Sequence, residues 1–209
     1  MNPLFTIGHS TYELDRLIES LKKHAVEVVV DVRSNPISNR FPHFSREPLK
    51  TRLAEYGMQY VFLGKELGAR RIEREVYEGH VASYERIAKL RSFAEGLERL
   101  RIGAISYRIS LLCAEKDPLQ CHRTILVCRH LRHEFTNRIF HIVEAGALEA
   151  HEDAEARLVA EVGLDTRQAD IFSEGGGEGV LDRAYRKRGL AIAYQEQSHG
   201  DQNLYNRVH

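Results

Sequence analysis

The sequence predicts an α/β fold: a Rossmann-like, mostly parallel sheet with helices on both faces, plus a partly helical C-terminal extension. Three observations point there. Strand and helix patterns alternate from residue 3 to residue 143. The run VEVVVDV at 26–32 is nearly all apolar and β-branched, which suits a strand covered on both faces. Helical stretches separate the strand candidates, and right-handed crossovers of that kind make successive strands parallel.

The elements follow in order. Residues 3–7, PLFTI, are a short apolar run closed by Gly8 and predict a first buried strand. Leu14, Leu17, Ile18 and Leu21 recur at helical spacing and predict a helix over 12–24. The second strand is 26–32. A loop with Pro36 and Pro42 covers 33–45, with Ser45 placed to cap a helix over 46–56 and Gly57 to stop it. MQYVF at 58–62 predicts the third strand. Residues 63–79 are charged and irregular, and a long helical pattern then runs to about Leu100 through Val81, Tyr84, Ile87, Ala88 and Leu97. The fourth strand is expected at 105–114, a loop with Pro118 at 115–120, a helix at 121–134 and a fifth strand at 138–143. Helices are expected at 151–161 and near 180–188, on either side of a glycine-rich break at 175–179. The tail is too poor in apolar residues for a core of its own. Residues 1–150 are therefore expected to form the Rossmann-like domain, with 151–209 packed on it as an extension.

Composition narrows the function. Of 209 residues, 43% are hydrophobic and 29% charged, which is ordinary for a globular chain. Lys and Arg total 30 and so do Asp and Glu, so a general electrostatic grip on nucleic acid is not supported. No apolar run approaches the roughly 18 residues a membrane span needs. The start, MNPLFTIGHS, lacks the basic flank and apolar stretch of a signal peptide. Three cysteines do not make a disulfide framework, and a cytoplasmic location is expected.

Open parallel sheets bind ligands beyond the carboxyl ends of their strands. Reactive residue types gather at that predicted edge. Gly8, His9 and Ser10 follow the first strand, Asp31, Arg33 and Ser34 the second, and Cys113, Glu115 and Lys116 the fourth; Cys121, His122 and Arg123 open the next helix. A thiol at a helix start, beside a histidine and an arginine, favours the thiolate, and the same end attracts anions. The bland alternative makes Cys121 a helix-start packing residue. Cys113 at a strand end reads first as a small core hydrophobe, and Cys128 as packing. Asp31 and Arg33 share one side of the chain, either as site residues or as an internal ion pair. No phosphate-binding loop, dinucleotide fingerprint, phosphatase loop or C-x-x-C pair is present, and the cofactor is unknown from the sequence.

The segments TIGHS at 6–10, DVRSNP at 31–36 and LLCAEKDPLQCHR at 111–123 resemble the DUF488 family of uncharacterised proteins, with HIVEAGALEAHE at 141–152 and AYRKRGLAIAY at 184–194 extending the likeness. The resemblance implies a Rossmann-like domain with these motifs around one cleft, and it brings no agreed activity. A weaker likeness to rhodanese domains lies in the Asp-Val-Arg strand end and the later strand ending in Cys.

The leading functional expectation is an enzyme acting on an anionic substrate such as a nucleotide, nucleoside or nucleic acid base. Cys121, His122, Glu115 and Asp31 are its candidate catalytic residues. His9, Ser10, Arg33, Ser34 and Arg123 are its candidate substrate-binding residues. One alternative is a non-catalytic module that senses a nucleotide or binds a protein. Another is a metal site drawn from Cys113, Cys121, His122 and His9. Neighbouring Cys121 and His122 read as awkward ligands for one ion, so no metal is assigned.

Overall fold

The computed structural model describes residues 1–164 and 179–196. Apart from Gly179, the glycine-rich break expected at 175–179 lies outside the described residues.

The sheet begins with β1 (Leu4–Gly8), followed by α1 (Leu14–Lys23), β2 (Val28–Asp31), α2 (Arg46–Glu55) and β3 (Gln59–Phe62). Leu17, Ile18 and Leu21 form the buried side of α1, as the spacing predicts. Ser45 does precede α2, but its Oγ accepts from the Ser38 N–H rather than from the helix. Gly57 ends the same helix with a φ of 75°.

The long helix expected through residues 80–100 is replaced by several pieces. A short helix α3 (Gly64–Leu67) is followed by a hairpin of β4 (Tyr77–Glu78) and β5 (Val81–Ala82), then α4 (Tyr84–Ile87) and α5 (Arg91–Ser106). The hairpin turns on Gly79 and His80, and Gly79 adopts a φ of 63° that such a two-residue turn requires. The fourth long strand, β6 (Ile109–Cys113), starts later than expected because α5 continues through Ser106. After it, a π-helical stretch at Arg123–Cys128 leads into α6 (Arg129–Leu131), where the sequence pattern suggested one regular helix. β7 (Ile139–Ile142), β8 (Leu148–Ala150), α7 (His151–Glu161) and α8 (Val180–Ile192) complete the described chain.

Six strands form one sheet in the order β3-β2-β6-β1-β7-β8. All neighbours are parallel except β8, an antiparallel edge on β7 that the sequence pattern did not reveal. The architecture is thus a Rossmann-like α/β sheet with helices on both faces. Alternate residues of each strand feed opposite layers. Phe5, Ile7, Val29 and Leu112 pack with α1 and α2 through Leu17, Leu21, Leu49 and Leu53. Leu4, Val28, Val30 and Leu111 pack on the other face with Phe93, Leu97, Ile125, Leu126, Leu158 and Tyr185. Thus α7 and α8 share the second layer.

Polar groups in that layer are connected. Arg123 Nε donates to Thr6 Oγ1 at 3.3 Å, and Thr6 Oγ1 is 2.8 Å from His141 Nδ1. His141 Nε2 is 3.0 Å from His151 Nδ1, His151 Nε2 is 3.1 Å from the Tyr185 hydroxyl, and that hydroxyl donates to Glu155.

Candidate functional site

The carboxyl ends of β1, β2 and β6 lie side by side, with Gly8 opposite Cys113 and Asp31 opposite Leu112. The loops beyond them stay together. His9 N–H donates to the Cys113 carbonyl at 2.9 Å and Ser10 N–H to the Ala114 carbonyl at 2.8 Å. Close approach there depends on Gly8: a Cβ at that position would lie 1.7 Å from the Glu115 carbonyl oxygen. The glycine serves the packing of two loops rather than the approach of a ligand.

A cleft of about 340 Å³ opens at this edge. His9, Arg33, Ser34, Cys113, Glu115, Cys121 and His122 all line it. Cys113 Sγ, Cys121 Sγ and a ring nitrogen of His122 lie within 4.8 Å of one another. The His122 ring is fixed by a 3.0 Å contact from Nε2 to the Val32 carbonyl, which makes Nε2 the donor. Its Nδ1 is then left facing Cys113 Sγ at 3.6 Å. Cys113 Sγ also lies 3.3 Å from Glu115 Oε2. The Cys121 carbonyl accepts from the Thr124 and Ile125 N–H groups, so this thiol stands at the first turn of the helical segment.

Burial works against ionising any of these groups, and neighbours decide which one does. Burial raises Cys121, but a hydrogen bond from Cys113 and the charges of Arg123 and His122 outweigh it and hold the group well below the usual thiol range. Cys113 is driven well above that range by its bond to Cys121 and by burial. Burial and the nearby Cys121 raise Glu115. His122 is raised against its burial by Cys121. His9 falls to about 4, through burial and the adjacent Arg33, and is neutral near pH 7.

Three of the expected site residues do not line the cleft. Arg123 is fully buried, and its guanidinium is spent on Thr6 Oγ1, the Glu115 carbonyl at 2.7 Å and the Lys116 carbonyl at 3.2 Å. It ties the 113–117 loop to β1 and offers no open face to a ligand. Asp31 is also fully buried: it accepts from Arg33 Nε at 2.9 Å, Arg33 Nη2 at 2.6 Å and the Tyr60 hydroxyl at 2.7 Å. Ser10 lies beyond the lining, with its carbonyl against His9 Nδ1. His9 is not part of the metal-donor group either. Its Nε2 faces Arg33 Nη1 at 3.2 Å and its ring stacks on Phe44. Cys113, read first as core, is in the cluster.

Other lining residues had no mark in the sequence. Arg70 stands at the rim with its guanidinium 4.7 Å from the Tyr194 ring centre, and among the described residues no carboxylate pairs with it. Tyr84, Gln120 and Ile192 also line the cleft. A Cβ on Gly68 would meet Ser34 Oγ at 2.3 Å, so glycine there lets the 68–70 segment close over the second strand's loop; the same Oγ accepts from Arg70 N–H.

No curated protein and no solved structure matches the chain in sequence or structure comparison. The family described as a domain of unknown function, DUF488, matches residues 13–129. That span takes in DVRSNP and LLCAEKDPLQCHR, hence both thiols and His122, and leaves TIGHS and the segments after 129 outside. Covering more than half of the 209 residues, the match makes this chain a member of the DUF488 family.

Proposed function

We propose that the protein is an enzyme acting on a small anionic substrate, of the nucleotide, nucleoside or nucleic acid base class, with Cys113, Cys121, His122 and Glu115 as its reaction centre. The observation that carries this is the convergence of two thiols, an oriented imidazole and a carboxylate at one end of a cleft that also holds Arg33 and Arg70. Structural packing alone gives no reason to bring four such groups together beside open space. The cleft volume falls at the lower end of small-molecule sites, which run from about 300 to 1,000 Å³. A balanced net charge fits a small ligand better than a polymer.

Cys121 and His122 are the reacting pair in this reading, and Glu115 is the general acid or base. Arg33, Arg70, Ser34 and His9 hold the substrate. Asp31 and Arg123 are positioning residues: the first orients Arg33 and the second anchors the Glu115 loop.

The test is product formation from a panel of nucleotides, nucleosides and free bases, followed by mass spectrometry, for the wild type and Cys121→Ser. The expected outcome is turnover of one class, lost in the variant while its thermal midpoint is unchanged. Undiminished turnover in Cys121→Ser would overturn the assignment. Ligand-dependent stabilisation without any product would replace the enzyme by a sensing module.

A further inference from the structure

We propose that Cys113 Sγ, Cys121 Sγ and His122 Nδ1 are three ligands of one divalent metal ion of the zinc class, with a fourth position open to the cleft beside Glu115. Zinc bonds of about 2.3 Å to sulfur and about 2.0 Å to nitrogen, at a tetrahedral angle, separate the two donors by about 3.6 Å. Cys113 Sγ and His122 Nδ1 are 3.6 Å apart, and Cys121 Sγ completes a triangle in which no side exceeds 4.8 Å.

Three further features fit. The His122 Nε2–H group is occupied by the Val32 carbonyl, which points the other nitrogen at the thiols; a second hydrogen bond of this kind fixes the tautomer of metal-bound histidines. Charge also balances: two thiolates and the Glu115 carboxylate carry three negative charges, against a divalent cation and the buried Arg123 guanidinium. Finally, a break in the backbone explains how neighbouring residues serve one ion. Cys121 is extended, with φ −138° and ψ 138°, while His122 is helical, with φ −61° and ψ −24°. Within a single regular element successive side chains diverge, and this change of conformation lets the two converge.

Three protein ligands and an open fourth position are the pattern of catalytic rather than structural zinc. The use of the ion in catalysis rests on the functional reading above as far as the cleft, its anionic substrate and Glu115 are concerned, with Cys121 and His122 becoming ligands in place of the reacting pair, whereas its binding rests on the donors alone. With water in the open position, Glu115 takes a water proton as the remaining hydroxide oxygen bonds to the electrophilic atom of the substrate. The bond to the leaving group then breaks, and the leaving group carries away the proton from Glu115. The reaction class is hydrolysis, in which one water is consumed and nothing is oxidised or reduced.

The experiment uses the full chain, purified without chelator and analysed for metal, then stripped and titrated with Co²⁺. The expected result is one ion per chain and a sulfur-to-cobalt charge-transfer band with tetrahedral d–d absorption. The band falls by half or more in Cys121→Ser, where Cys113 is the one thiolate left, and is kept in Cys128→Ser and Glu115→Gln. If Cys121→Ser does not fold, the wild-type titration decides alone, because the band itself reports thiolate ligation. Stoichiometry near zero with no charge-transfer band overturns the metal site. Turnover by a metal-free chain would remove the ion from catalysis while leaving both its binding and the enzymatic reading intact. A loaded chain that turns over nothing does the reverse.

Discussion

Thr6 Oγ1 and His141 Nδ1 lie 2.8 Å apart in the middle of a buried chain whose two ends fix its direction. Arg123 can only donate at one end, and the Glu155 carboxylate only accepts at the other. Burial lowers both histidines and keeps them neutral, and with neutral rings every link follows: the Thr6 hydroxyl donates to His141 Nδ1, His141 Nε2–H to His151 Nδ1, and His151 Nε2–H to the Tyr185 hydroxyl. Each imidazole then uses one nitrogen as an acceptor, which protonation would abolish.

That arrangement predicts a pH dependence of stability. Burial lowers both His141 and His151, and His9 titrates at about 4. In the unfolded chain all three take up a proton near pH 6.5. Below that value the unfolded state binds more protons than the folded one, so stability is complete above about pH 6.5 and falls as the solution is acidified toward 4. Urea midpoints measured from pH 7.5 to 5 should decline. His141→Gln should be less stable at pH 7.5 but show a shallower decline. An unchanged slope in that variant would exclude the histidine pair as the source.

The Asp31–Arg33 pair predicts a graded mutational series. Removing the Asp31 carboxylate leaves a buried guanidinium without its counter-ion, which costs about 3–5 kcal/mol. Tyr60→Phe removes one hydrogen bond to a charged group and should cost about 1.5–3 kcal/mol. Chemical denaturation of Asp31→Ala and Tyr60→Phe checks both the size and the order of these losses.

Gly8→Ala is expected to be more damaging than a surface glycine change. The added carbon would overlap the Glu115 carbonyl and come within 3.1 Å of Arg123 Nη1. The loop carrying Glu115 must therefore shift, at or beyond the usual overpacking cost of about 1–3 kcal/mol. Gly57→Ala has open space but a positive φ, and provides the comparison. Denaturation midpoints, together with the rate of Cys121 alkylation, should show Gly8→Ala altered in both and Gly57→Ala in stability alone.

Arg70→Ala should leave folding intact while weakening anion binding. Its guanidinium rests on Tyr194 at the rim, outside the buried network. Titration calorimetry with the best anionic ligand should show affinity reduced about five- to tenfold, an exposed charge–charge contribution near 1 kcal/mol, with the thermal midpoint unchanged. Equal affinities would remove Arg70 from substrate binding.

The sheet was legible because its central strands are short apolar runs, such as VVVD in β2, bounded by polar or glycine-containing turns. The segment around Val81 was not. Val81, Tyr84, Ile87 and Ala88 imitate helical spacing across a hairpin and a separate short helix, and Gly79 was the one local mark of the turn. At the site, the clustering of His9, Arg33, Ser34, Glu115, Cys121 and His122 followed from placing residues at strand ends. The role of Cys113 did not, since the eight-residue separation of the thiols says nothing about their direction. Arg123 misled for a related reason. A cation at a helix start looks like an anion anchor until the loop packed over Gly8 is seen to occupy it. Arg70 and Tyr194 come from distant stretches that meet through tertiary packing alone.

The wall formed by Ile192 and Tyr194 comes from the end of α8 and just beyond it, past the stretch matched by the family. Because α8 is part of the second layer, only the side chains at its end, Ile192 and Tyr194, can reshape the entrance while the thiol cluster stays in place. Under the proposed activity, Ile192→Ala and Tyr194→Ala should change substrate preference while leaving the reaction class the same.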